Sequence, residues 1–227
     1  MEKYLEKFVL KVKSICDFNN ASLPEEYYYP SLVLCVLDAV FSINARYNPT
    51  TKNVINRYIE YYKLEELDTE HTLSDFLDNI NSVSDINTFA KEILRNCQRT
   101  SSRNGILKAE ACYALATILR EYGINTLSDF RSLSADQQKV MDKEILNIPG
   151  QKSGIMLKYL YMLAGSESIC KPDRHIRKFI EQTIDKQLNN DEIQQLLDLT
   201  CNEMKKEFPN ITVRLIDNKI WDYQKRI

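Results

Sequence analysis

Glycine and proline, the residues that interrupt helices, are scarce in this 227-residue chain and concentrated in one place. Three of the five glycines, two of the six prolines and one of the two histidines fall between Leu146 and Phe179. Elsewhere the chain is rich in Glu, Lys and Leu and carries apolar residues at helical spacing, so it is restricted to helices joined by short turns. The expected class is all-α, with helices at roughly 2–17, 30–44, 51–62, 73–80, 86–97, 106–122, 126–131, 135–146, 153–164, 173–187, 191–206 and 213–224. An apolar content of 44% is enough for a sizeable core.

Within the breaker-rich stretch, the apolar segment Met141 to Leu146 stops at Pro149-Gly150. Proline disfavours helix for the residue before it, and glycine permits a left-handed turn. A new helix is expected near Ser153, with Ile155, Leu157, Leu160, Met162 and Leu163 on its apolar face. The backbone N–H groups of Gln151 to Gly154, beside Lys152, then open a helix N-terminus, an environment that attracts phosphate. Further on, Lys171-Pro172-Asp173-Arg174-His175 opens another helix with a carboxylate at its positive end. Read alone, Asp173 is a helix N-cap or a functional acid, and the two roles are compatible.

Charge is segregated although the net value is only −2. From Tyr61 to Ile86 there are seven acidic residues and one lysine, whereas Lys91 to Lys108 holds five basic residues and one glutamate. Lys143 to Lys178 adds seven basic residues against three acidic ones. Two basic runs around a phosphate-attracting turn point to a nucleic-acid-facing surface, with a solvated polar loop as the plainer reading of Arg99 to Asn104.

The order of these features resembles the helix-hairpin-helix DNA glycosylase superfamily: Ile148-Pro149-Gly150, a polar hairpin, an apolar helix, then Asp173-Arg174-His175-Ile176. Two upstream segments fit: LDAVFSINAR at 37–46 is similar to the family's first barrel helix, and RNGILKAEA at 103–111 to a later turn into a barrel helix. The resemblance implies two helical lobes with a DNA-binding cleft between them. One spans residues 32–154 and ends in the hairpin; the other combines residues 1–31 with 155–227. It implies a base-excision activity that flips a damaged or mismatched base out of double-stranded DNA and cleaves its N-glycosidic bond, with Asp173 as the catalytic carboxylate. Asn44, with Arg46, would enter the space left by the flipped base, although Asn44 also suits a left-handed helix C-cap. Arg103, Asn104, Gly150, Gln151, Lys152, Ser153, Gly154, Arg174 and His175 would contact DNA. The carbonyls of Leu146, Ile148 and Gln151 would hold a monovalent cation.

The departures refine the expectation. Bifunctional members carry a lysine nucleophile where this chain has Gly154, and Lys152 lies two residues too early, so a monofunctional enzyme using water is expected. The hairpin reads Gly150-Gln151-Lys152 where the family has Gly-x-Gly. The alternatives are a non-enzymatic helix-hairpin-helix DNA binder, and a glycosylase with lyase activity at Lys152 or Lys158. The lesion is left open.

The six cysteines form no close pair and only Cys201 lies beyond Cys170, so no iron–sulfur cluster is expected. His71 and His175 are too far apart to argue for zinc, and no side-chain metal site or other cofactor is expected. The charged N-terminal helix is not a secretory signal and no stretch is apolar enough to span a bilayer. The reading is an intracellular, cytoplasmic monomer with no membrane partner.

Overall fold

All twelve periodic segments contain helix in the computed structural model, which describes residues 1–25, 28–45 and 47–226, Asn48 without its side chain. The helices are α1 (Glu2–Lys13), α2 (Leu32–Phe41), α3 (Asn53–Tyr61), α4 (Leu73–Asn81), α5 (Ile86–Thr88), α6 (Lys108–Glu121), α7 (Leu127–Arg131), α8 (Ala135–Ile145), α9 (Ile155–Leu163), α10 (Arg174–Ile184), α11 (Asn190–Met204) and α12 (Val213–Arg226). Among the described residues no strand forms, and the one extended pairing is an isolated antiparallel bridge between Arg99 and Leu107.

Side-chain caps set many of the boundaries. Thr72 with Asp75, Thr126 with Asp129, Ser134 with Gln137 and Asn189 with Glu192 form reciprocal capping boxes that start α4, α7, α8 and α11. Each box satisfies two of the N–H groups that a helix start leaves without an intrahelical partner. The segment expected as one helix over 86–97 is shorter and irregular. It runs from α5 into a π-helical turn, Phe89–Ile93, and ends where Arg95 takes φ 48°.

The chain divides into two units, Met1–Tyr27 with Gly165–Ile227, and Tyr28–Ala164. In the central unit, α2 packs against α3, α4, α6 and α9, and all ten of its residues are buried. That explains its nearly continuous apolar sequence. α9 belongs with α2, so the second boundary falls one helix later than the sequence reading put it. Its residues Met156, Leu157, Tyr159, Leu160, Met162 and Leu163 are all buried, leaving no wide polar face to turn outward.

The terminal unit has its own core. Phe8 and Val12 of α1 meet Phe179 and Ile180 of α10, with Leu196 and Leu197 of α11 and Ile216 and Ile220 of α12. Phe8 and Phe179 meet edge to face, ring centres 5.7 Å apart. Among the described residues, no helix is long and apolar enough to cross a membrane.

Candidate functional site

The hairpin between α8 and α9 is a succession of tight turns. Ile148 N–H donates to the Ile145 carbonyl at 3.1 Å, Gln151 N–H to Ile148 at 2.9 Å and Gly154 N–H to Gln151 at 3.0 Å. Gly150 and Gly154 take φ of 88° and 70°, the left-handed region open to glycine. The helix therefore starts at Ile155, capped by Gly154, rather than near Ser153. This changes the expected anion site. Two of its donors, the N–H groups of Gln151 and Gly154, are used inside the hairpin. Gln151 is 2% exposed, whereas Lys152 and Ser153 are exposed. The carbonyls of Ile148 and Gln151, two of the three named for a cation, each accept one of these bonds and retain a second lone pair.

The basic segment after Gln98 folds against this hairpin. Thr100 N–H donates to Ile106 O at 2.9 Å and Lys108 N–H to Gln98 O at 2.8 Å, closing a loop that Arg99 braces through the Gly105 carbonyl. Thr100 joins loop to hairpin: its hydroxyl donates to Pro149 O at 2.7 Å and accepts from Ile106 N–H at 3.2 Å. Arg103 and Asn104 are exposed on the loop, and Asn104 takes φ 54°. A chain contact across 49 residues thus brings the two basic segments together.

Gly150 is held to glycine by more than its φ. A Cβ there would lie 2.6 Å from Thr100 Oγ1 and 2.7 Å from Thr100 Cβ. Gly150→Ala is expected to destabilise the protein by about 2 kcal/mol through strain and displacement of Thr100. Urea unfolding measures this, and a loss within about 0.5 kcal/mol, as for a neutral surface change, would remove the packing argument.

Asn44 is exposed and takes φ 52°, so it is the left-handed residue that ends the α2 turn. A residue not singled out from the sequence holds this end. Lys108, 2% exposed, donates from Nζ to Phe41 O at 2.9 Å and Ile43 O at 2.6 Å. A lysine at the first position of a helix opposes that helix's own dipole. Here its ammonium serves the negative end of another helix, and that mismatch was the available sequence signal. Arg46, named with Asn44, lies outside the described residues.

Deeper in the central unit, Asp38 is fully buried on α2. Its Oδ2 accepts from the hydroxyls of Tyr29 at 2.8 Å, Tyr47 at 3.0 Å and Tyr159 at 3.5 Å. Burial, then the Asp38 charge, holds the Tyr29 hydroxyl far above the usual phenol range. Among the described residues, no three His, Cys, Asp or Glu side chains are grouped to hold a metal ion.

In the terminal unit, Asp173 is the N-cap of α10. One oxygen, Oδ1, accepts from His175 N–H at 2.8 Å and Ile176 N–H at 3.1 Å, and Oδ2 takes no part in the cap. His175 lies edge-on to Trp221, ring centres 5.9 Å apart, and Arg174 Nε donates to His175 Nε2 at 3.3 Å. Burial lowers the His175 pKa; Asp173 opposes that shift while Arg174, Lys178 and Lys225 add to it. Trp221 is half-buried, with Lys225 Nζ over its ring at 4.7 Å. A cavity of about 300 Å³ in this unit, lined by residues including Lys7, Lys11 and Gln224, involves none of the residues predicted for the site.

These elements define an all-helical protein in which a tight polar hairpin braced by a basic loop and a helix-capping aspartate are the chemically distinctive sites. The chain belongs to the family described as Domain of unknown function (DUF8548), which it matches over residues 6–225. No curated protein and no solved structure matches it.

Proposed function

We propose that the protein is a monofunctional DNA glycosylase of the helix-hairpin-helix type, which hydrolyses the N-glycosidic bond of a damaged or mismatched base. The observation that carries the reading is Asp173: one carboxylate oxygen is fixed by two backbone N–H groups at a helix start, and the other takes no part in the cap. Departure of a base builds positive charge on the deoxyribose, and a positioned carboxylate stabilises that charge and takes a proton from the attacking water. Water oxygen bonds to the sugar carbon as the bond to the base nitrogen breaks, and the base leaves with its electron pair.

Lys152 and Ser153 on the hairpin and Arg103 and Asn104 on the loop are exposed polar groups suited to a phosphate backbone. Asn44, a short amide at the end of α2, suits the hole left by a flipped base. Gly154 offers no amine for a covalent intermediate, which favours hydrolysis over lyase chemistry. The non-enzymatic binder is the second reading, favoured by the capping bonds that already occupy Asp173 Oδ1.

Duplexes that each carry one defined lesion, treated with the protein and then hot alkali, test the proposal. Strand cleavage at one lesion class is expected. Binding without cleavage at any lesion would support the second reading. In a salt titration, Lys152→Ala is expected to reduce the slope of log affinity against log salt by about 1, and an unchanged slope would remove Lys152 from the phosphate contacts.

A further inference from the structure

Asp217 lies on α12, is 6% exposed, and has no role in the chemistry above. Its Oδ1 accepts from Lys171 N–H at 2.9 Å, and the Lys171 carbonyl accepts from Asp173 N–H at 2.7 Å. The acid is therefore two hydrogen bonds from Asp173 and anchors the turn Lys171-Pro172-Asp173. We infer that Asp217 is a positioning residue, whose carboxyl oxygen fixes the turn that aims Asp173. This deepens the glycosylase reading and rests on it for its catalytic consequence alone.

The surroundings favour the neutral acid. Burial is the largest influence, the negative charge of Asp173 adds to it, and together they raise the Asp217 pKa well above the usual carboxylate range. The Lys171 N–H bond and the charges of Lys171 and Arg214 oppose the shift without cancelling it. Arg214 is itself engaged with Glu167 at 3.3 Å.

The sign of the linkage follows. The folded protein keeps a proton on Asp217 that the unfolded chain releases above about pH 4, so this group's contribution to stability declines as pH rises from there to its folded pKa. Asp217→Asn keeps the acceptor and fixes neutrality. It is expected to raise the unfolding midpoint at pH 7, with a gain over wild type that shrinks to nothing as pH falls below about 4.

Three readouts test the inference. Carbon-13 NMR titration of the Asp217 carboxyl is expected to show it protonated at pH 7, with a lower pKa in Asp173→Asn; titration in the ordinary carboxylate range would overturn the neutral role. Base release by Asp217→Asn is expected within about threefold of wild type. Asp217→Leu, which lacks the acceptor, is expected to lose about 10²-fold in kcat with KM little changed, the cost of a misplaced catalytic group. An Asp217→Asn variant as inactive as Asp173→Asn would make Asp217 a direct participant and end the positioning role. If the wild type releases no base from any lesion, the glycosylase reading fails, while the NMR titration and the pH dependence of stability still decide the state of Asp217.

Discussion

Asp173→Asn is expected to lower base release by about 10³-fold while leaving the fold and duplex affinity intact. Asparagine retains the side-chain oxygen that accepts from His175 N–H and Ile176 N–H, and it is as good an N-cap as aspartate. What it removes is the charge. Asp173→Ala separates the two roles. It loses cap and charge together, and is expected to cost about 1 kcal/mol of stability in addition to the same loss of activity. Single-turnover assays beside chemical denaturation make the comparison. An Asp173→Asn variant that keeps wild-type release would reduce Asp173 to its capping role.

Lys108→Met is expected to have the largest effect on stability, a loss of about 3 kcal/mol in urea unfolding. Methionine preserves the volume of the stem but leaves the carbonyls of Phe41 and Ile43 without their charged donor. Two effects compete. Removing a buried ammonium relieves its desolvation cost, while each hydrogen bond from a charged donor contributes about 1.5–3 kcal/mol. The bonds win here because two are lost together at a helix end that the 2% exposure of Lys108 closes to replacement by water. The same substitution loosens the turn that presents Asn44, so duplex affinity is expected to fall with stability. A neutral or stabilising Lys108→Met would mean that the desolvation cost dominates.

The sequence was informative wherever structure is local. Among the described residues, apolar spacing placed helix in all twelve expected segments, although the one over 86–97 is shorter and irregular. Asp173 at the start of α10 and the left-handed Asn44 follow from the same local chemistry. Legibility ended where distant segments meet. Nothing in the periodicity of 86–97 announces a π-helical turn, because a shift from i+4 to i+5 bonding leaves residue types unchanged. The link from Thr100 to Pro149 depends on a chain reversal that no local pattern encodes. α12 reads as an ordinary closing helix with an apolar face, yet Arg214, Asp217, Asn218 and Gln224 are also buried on it. Polar residues in an amphipathic pattern are assigned to solvent by default, and only packing reveals which of them turn inward. The hairpin illustrates the same limit on a smaller scale: its glycines were legible, but the consumption of the Gln151 and Gly154 N–H groups by its own turns was not.

The most direct measurement is mass spectrometry of both reaction products after incubation with lesion-bearing duplexes in oxygen-18 water, with a parallel sample treated with borohydride. The account predicts free base, an abasic sugar carrying one heavy oxygen, and no protein covalently joined to DNA. A borohydride-trapped adduct would instead establish a lysine nucleophile, and intact substrate at every lesion despite binding would contradict the assignment of hydrolysis to Asp173.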